Sequence, residues 1–314
     1  MELFWTCFFF LVGLLLIVKG GDIFVDAATW MAEASGIPKF IIGATIVSVA
    51  TTLPEIIVSC FAAAEGSADM AIGNAIGSVS ANTGLIMGLS VIFAPIAVKR
   101  SQISVKGALM ILSVGVLTLL CLNGALTIWE ALIVLLLFVA FIAENLYSAS
   151  KDKQVEQRPQ VTRPDLIRNL VAFVLGAAAL AIGSRLLVNN GTTLATLLGI
   201  PERVIAITLV AIGTSLPELV TAITSLVKKQ GAMSVGNIIG ANIIDITVIL
   251  PMCAILSGGT LGVSANCVRL DMPLCLAEAV LAVVPTVVFK KFSRIQGVLM
   301  VALYLAYLVF SIMA

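Results

Sequence analysis

Residues 36–55, GIPKFIIGATIVSVATTLPE, lie over residues 199–218, GIPERVIAITLVAIGTSLPE, at a constant offset of 163 positions (36 onto 199) with no gap. The same register carries MAIGNAIGSVSAN (70–82) onto MSVGNIIGANIID (233–245), so Glu55 pairs with Glu218, Asn74 with Asn237 and Asn82 with Asp245. A chain that repeats itself over half its length folds as two related units. The question is then what medium those units fold in.

Composition answers it. The chain is 60% hydrophobic and 11% charged, with a mean hydropathy of +1.15, which no water-soluble core can bury. A helix needs about 20 residues to cross a hydrocarbon layer of about 30 Å. Ten such spans are predicted, at about 3–33, 38–63, 70–96, 107–123, 125–147, 165–190, 200–227, 232–257, 268–289 and 295–313. The expected fold is an all-α membrane protein of ten transmembrane helices, in two five-helix repeats at 1–147 and 165–314, joined by a linker at 148–164. Five is odd, so the second repeat enters the membrane from the opposite face. Such inverted repeats occur in many secondary transporters, whose substrate sites lie at the repeat interface near the midplane.

Charge placement fixes an expected orientation. Lys19, Lys39, Lys99, Arg100, Lys106, Lys151, Lys153, Arg158, Arg163, Arg168, Lys228, Lys229, Lys290, Lys291 and Arg294 fall on one side of the alternating spans, and only Arg185, Arg203 and Arg269 on the other. The rule that cytoplasmic loops are basic puts the linker in the cytoplasm and both termini outside. The N-terminus has no basic region before its apolar run and no small-residue cleavage site, so it reads as a retained first span. The linker is too short for a folded regulatory domain. A net charge of +1 with all cationic residues assigned by topology leaves no basic surface for nucleic acid. The six cysteines are scattered without a CxxC pair and read as small buried apolar residues, and the absence of histidine removes the commonest zinc ligand and general base.

Chemistry concentrates where each repeat carries a proline before an acid. Pro54 and Pro217 fall inside apolar spans, where proline removes a helical hydrogen bond and kinks or breaks the helix. The carbonyls expected to be freed are those of Ser48, Thr51, Ala211 and Thr214. Irregular backbone at membrane depth is tolerated where it lines a polar cavity. The hydroxyls of Thr51, Thr52, Thr214 and Ser215 and the carboxylates of Glu55 and Glu218 stand beside these carbonyls. All are hard oxygen donors, and Ca²⁺ takes about six to eight of them. Spans three and eight bring Ser78, Asn82, Asn237 and Asp245, with 74, 78 and 82 on one helical stripe and 237, 241 and 245 on another. Gly73, Gly77, Gly236 and Gly240 are expected to let these helices approach closely. Small-residue spacing alone is ordinary packing, and a hydroxyl before proline is often only a satisfied kink. An intramembrane carboxylate is different, because it costs about 2.5–3.5 kcal/mol on insertion scales. Glu130 and Glu144 are expected near span ends, facing headgroups. Glu278 lies in mid-span with Gly115 at its repeat position, and has no assignment.

GTSLPE followed by GNIIGANIID, and ATTLPE followed by GNAIGSVSAN, resemble the cation/calcium exchangers, specifically the sodium/calcium exchanger branch with its two alpha repeats, placed here at 43–90 and 206–253. The resemblance covers essentially the whole chain. It implies kinked core helices two and seven packed on helices three and eight, and Na⁺/Ca²⁺ antiport by alternating access. It also implies Glu55 and Glu218 as shared ligands, Thr51 and Thr214 as carbonyl ligands, and Ser48, Ala211, Thr52, Ser215 and Ser78 as contributors to Na⁺ sites. Asn82 and Asp245 would flank the centre. Five positions depart from the family pattern. Val79 follows Ser78 where the pattern has asparagine, Ala241 removes a hydroxyl, Ala50 and Thr52 replace the usual glycine and serine, and Asp245 adds a third acid that the potassium-dependent branch links to K⁺. The implied partners are Ca²⁺, Na⁺ and the bilayer, with H⁺ or K⁺ as alternative coupling ions, no organic cofactor and no obligatory protein partner. The implied location is the cell membrane. An ion channel and an intramembrane aspartyl protease also need buried acids. The first needs no inverted pair of broken helices, and the second lacks its GxGD motif here.

Overall fold

The computed structural model describes residues 2–94, 100–151, 161–199 and 211–313. Arg203, the first half of the predicted seventh span, and Lys99, Lys153 and Arg158 lie outside them. Residues 2–151 run α1 (Glu2–Ser35), α2 (Lys39–Ile42), a π-helical turn at Gly43–Val47, α3 (Ser48–Thr51), α4 (Leu53–Ala64), α5 (Ala68–Ser80), a π-helical segment at Ala81–Met87, α6 (Gly88–Phe93), α7 (Arg100–Leu120) and α8 (Ile128–Lys151). The described residues from 161 on run α9 (Arg163–Leu197), α10 (Ala211–Thr214), α11 (Leu216–Val227), α12 (Gly231–Ile244), π-helical Asp245–Ile249, α13 (Leu250–Leu256), π-helical Cys267–Asp271, α14 (Met272–Phe289) and α15 (Arg294–Met313). The chain is a helical membrane protein. Among the described residues seven helices are long and apolar enough to span, or eight when the bent pair Lys39–Thr51 and Leu53–Ala64 counts as one. Two further apolar helices, Leu216–Val227 and Arg294–Phe310, are shorter.

Helix limits follow the sequence offset. Leu53 and Ala64 bound α4 as Leu216 and Val227 bound α11, and α5 and α12 both begin at the same repeat position. Packing follows it too. A Cβ on Gly13 would lie 2.9 Å from the carbonyl of Gly183 and the amide of Leu187, and one on Gly176 would lie 2.8 Å from the amide of Phe24. Exchanging the halves turns the pair 13/187 into 176/24 and 13/183 into 176/20, and Gly20 indeed meets Gly176. These glycines let α1 and α9 touch backbone to backbone, with Phe24 stacked on Phe173 at 4.6 Å.

Three features depart from expectation. The positive-inside count puts Lys106 in a loop, and the structure buries it within α7. Its Nζ donates to Ser148 Oγ at 3.0 Å and lies 3.6 Å from Glu144 Oε1. Glu144 therefore faces this cation inside the bundle, because a buried ammonium needs a counter-charge. Second, Ala125–Thr127 and Thr260–Gly262 form an antiparallel two-stranded ladder between the loops after α7 and α13, which satisfies backbone groups that would otherwise lack partners. Third, α5 and α12 each run into π-helix within one residue of the same repeat position. Wider turns of this kind are frequent at functional sites.

Candidate functional site: two broken helices meeting at buried carboxylates

The core helix of the first repeat is interrupted at Thr52, whose backbone (φ −83°, ψ −3°) sits at the edge of the helical region. The two pieces meet at 46°. Pro54 sits in the first turn of α4, where its missing N–H costs nothing. Ser215 breaks the second repeat the same way (φ −85°, ψ 10°), with Pro217 opening α11. The result is a full break, and it changes the expectation for Ser48. The Ser48 carbonyl accepts the N–H of Thr52 at 2.9 Å and is not released. The Thr52 and Ser215 carbonyls accept from Ile56 and Leu219, each at 3.0 Å.

The break sets both acids in the first turn of a half-helix, Glu55 on α4 and Glu218 on α11. Helix N-termini carry partial positive charge, so this is where a carboxylate is best tolerated. Both are 1% exposed. Glu55 lies within Coulombic reach of Glu218 and Asp245. Thr52 Oγ1 donates to Glu218 Oε1 at 3.4 Å across the two halves, and the Thr51 hydroxyl lies against Asn237 Oδ1 at 3.2 Å and within reach of Glu218.

The second wall comes from α5 and α12. Segment Lys39–Thr51 is pressed onto α12, where a Cβ on Gly236 would collide with the Phe40 carbonyl and one on Gly240 would lie 2.5 Å from the Ala44 carbonyl and Ser48 Oγ. Gly73 and Gly77 differ: no atom of the described residues stands within 4 Å of a Cβ there, and the stretch equivalent to their expected partner, 201–210, is outside those residues. Ser78, Asn82 and Asp245 are buried, with Asn82 and Asp245 in the π-helical segments. Thr51, Thr52, Ser48 and Ser215 are buried as well, and Thr214 is half-buried. Ala211 belongs to α10, and its side chain is outside the described set.

The hydrogen-bond inventory sets the chemistry. Both oxygens of Glu55 and of Asp245, Oε2 of Glu218, Oδ1 of Asn82 and the hydroxyls of Ser78 and Ser215 are buried without a hydrogen-bond partner. This is a set of acceptors with few donors, and burial of such groups is costly unless positive charge arrives from outside. Among the described residues no group of three acidic or cysteine side chains converges tightly enough to chelate a metal alone, so hydroxyls and amides must share the ligation.

Some polar groups escaped the sequence reading. Thr221 and Ser225 are buried on α11 three and seven residues after Glu218, a helical spacing that was visible in the sequence. Ser59 is buried four after Glu55 and accepts from Asn74 Nδ2 at 2.9 Å. Asn242 Nδ2 donates to Thr83 Oγ1 at 2.6 Å, tying the two halves together. Glu278 is fully buried, with its Oε1 2.5 Å from where a Cβ on Gly84 would stand.

Similarity to known proteins extends over most of the chain. A family model described as "Sodium/calcium exchanger protein" matches residues 5–146 and 168–313. An uncharacterized membrane protein of Methanocaldococcus jannaschii is 33% identical over 301 residues, covering 95% of both chains. The sodium/calcium exchanger MaX1 of Methanosarcina acetivorans is 29% identical over 338 residues, covering 95% of this chain and 96% of its own. A structure of the sodium-calcium exchanger NCX_Mj soaked with Na⁺ and Sr²⁺ superimposes with a TM-score of 0.86 at 29% identity, covering 98% and 99% of the two chains.

Proposed function

The chain belongs to the sodium/calcium exchanger family, and on that premise we propose that it is a secondary antiporter exchanging Na⁺ for Ca²⁺ at the cluster around Glu55 and Glu218. One observation carries the reading: buried oxygen acceptors without donors gather where two half-helix N-termini meet. Glu55 and Glu218 are the shared carboxylates. Thr51, Thr214, Ser48 and Ala211 contribute carbonyl oxygens, that of Ser48 once the Thr51 hydroxyl, 3.4 Å away, turns from it. Thr52, Ser215 and Ser78 supply hydroxyls, and Asn82 and Asp245 flank the centre.

Counting the bent pair as one span, and adding Leu216–Val227 and Arg294–Phe310 as the membrane-crossing parts of two more, gives ten spans. They form two inverted five-helix repeats at 1–147 and 165–314. Both termini lie outside and the linker 148–164 in the cytoplasm of a cell membrane. Ca²⁺ and several Na⁺ compete for one cluster, so neither fills it while the other is bound. An empty pair of ionised carboxylates resists passage through an occluded, low-dielectric state, so reorientation requires a cation load. The α1–α9 pair, without a carboxylate at the cluster, is the panel that moves against the core.

Asp245 supports a second reading in which H⁺ or K⁺ joins the coupling, since it is a third buried acid beside the pair. Radioactive Ca²⁺ uptake into proteoliposomes loaded with Na⁺, K⁺ or acidic choline buffer separates these. Uptake driven by an outward Na⁺ gradient alone is expected. Uptake that follows the proton gradient would replace Na⁺ with H⁺ in the account, and uptake without any gradient, with single-channel currents, would make the protein a channel.

A further inference from the structure

The repeat register also aligns charged residues outside the ion cluster, and it aligns them with opposite signs. Lys228, at the end of α11, corresponds to Glu65 at the end of α4, and Asp22 on α1 corresponds to Arg185 on α9. Asp26 corresponds to Asn189. An attractive pair in one half therefore predicts a charge-reversed attractive pair in the other, at the opposite membrane face.

Only one of the two is made. Lys228 Nζ lies 2.7 Å from Asp26 Oδ1 and 3.6 Å from Asp22 Oδ1, and donates to the Asp22 carbonyl at 3.1 Å. Beneath it α1 packs along α11, so that a Cβ on Gly21 would lie 2.7 Å from Val220 Cγ1 and 3.3 Å from Thr224 Oγ1. The mirror of that contact would set Ser184 against Ile57 and Phe61. Instead Ile57 is 50% and Phe61 66% exposed. Glu65 and Arg185 are both exposed and form no ion pair among the described residues. The contacts between α1 and α9 survive exchange of the halves, as shown above, whereas the seating of this helix pair on the core does not. It is closed on α11 and open on α4.

We propose that Lys228 with Asp22 and Asp26, and Arg185 with Glu65, are alternating ionic latches that hold the α1–α9 panel in its two positions. The proposal rests on the alternating-access reading. When the panel shifts toward α4, α1 leaves α11 and the Lys228 contacts part, while Arg185 reaches Glu65. The latches are unequal by construction. Lys228 meets two carboxylates, and Arg185 meets one, because Asn189 stands where a second acid would be. The structure's own position is thus the one its charges favour. All three partners of the closed latch are partly exposed (25%, 47% and 68% for Lys228, Asp22 and Asp26), so salt weakens it.

The test uses the full chain in liposomes with Cys7 and Cys60 replaced by serine, the remaining four cysteines being buried. Asp22→Cys/Lys228→Cys and, separately, Glu65→Cys/Arg185→Cys are treated with a short bifunctional thiol reagent. Both pairs are expected to cross-link. Lys228→Gln, or Asp22→Asn with Asp26→Asn should one variant misfold, is expected to raise the Glu65→Cys/Arg185→Cys rate about two- to fivefold at low salt, the equilibrium factor an exposed ion pair is worth. That gain should vanish at high salt. A Glu65→Cys/Arg185→Cys pair that never cross-links, in protein that still performs Na⁺-driven Ca²⁺ uptake, would overturn the proposal, as would a rate indifferent to Lys228→Gln. Cross-linking needs no transport. Absence of exchange in the parent protein would refute the antiport reading while the two cross-links still report whether the panel alternates.

Discussion

Gly240→Ala is a one-methyl test of how the site is held. A Cβ at this position would lie 2.5 Å from the Ala44 carbonyl, 2.5 Å from Ser48 Oγ and 2.8 Å from the Ala44 carbonyl carbon. Ordinary contact begins at about 3.4 Å, so α12 must move away from the Lys39–Thr51 segment by about 0.5–0.9 Å. Overpacking of this size costs about 1–3 kcal/mol. The displaced wall carries Asn237 and leads into Asp245, and Ca²⁺–oxygen distances span only about 2.3–2.6 Å. The shift therefore exceeds what the ligand shell absorbs. If that strain must be reversed on binding, Ca²⁺ affinity falls about five- to hundredfold. Gly115→Ala is the control, because no atom of the described residues stands within 4 Å of a Cβ there and alanine is the better helix former by about 1 kcal/mol. Calorimetric Ca²⁺ titration and thermal melting of both variants decide the matter. A Gly240→Ala protein with unchanged affinity and melting would refute the claim that close helix contact positions the ligands.

Three further outcomes are expected. Glu55→Gln and Glu218→Gln, which keep shape while removing charge, should each abolish Na⁺-driven Ca²⁺ uptake with normal monodispersity in detergent. Surviving uptake in either would move the site elsewhere. Lys106 is fully enclosed while the Glu144 side chain is 20% exposed, so Glu144→Ala, which leaves a buried cation short of its counter-charge, should destabilise by about 3 kcal/mol and more than Lys106→Met. Melting in the reverse order contradicts the ion-pair account. Ala241→Ser restores a hydroxyl at the buried position where the family pattern has one, and should steepen the Na⁺ dependence of uptake, read as a larger Hill coefficient.

What was legible in the sequence follows from what local chemistry can encode. Span positions come from length and hydropathy, the duplication from direct alignment, and the helix breaks from proline followed by an acid at matched positions. The π-helical segments were not legible, because ANTGLIM and DITVI read equally well as α-helix. Lys106 was misplaced because its counter-charge, Glu144, comes from a different helix 38 positions on (106 to 144) and is set beside it only by packing. The Ser48 carbonyl was expected to be free because a proline inside an intact helix frees one. The full break at Thr52 redistributes the bonds instead. Thr221 and Ser225 were legible and missed, since their spacing from Glu218 is helical and each adds a hydroxyl to the same face.

The central claim is that Na⁺ and Ca²⁺ share one cluster. Ca²⁺ titration of the purified protein at rising Na⁺ tests it most directly. A shared site predicts an apparent Kd that climbs without limit, with a power of Na⁺ above one, and loss of both ions' binding in Glu218→Gln. A Kd that plateaus at high Na⁺, or does not respond, would mean separate sites and contradict the account.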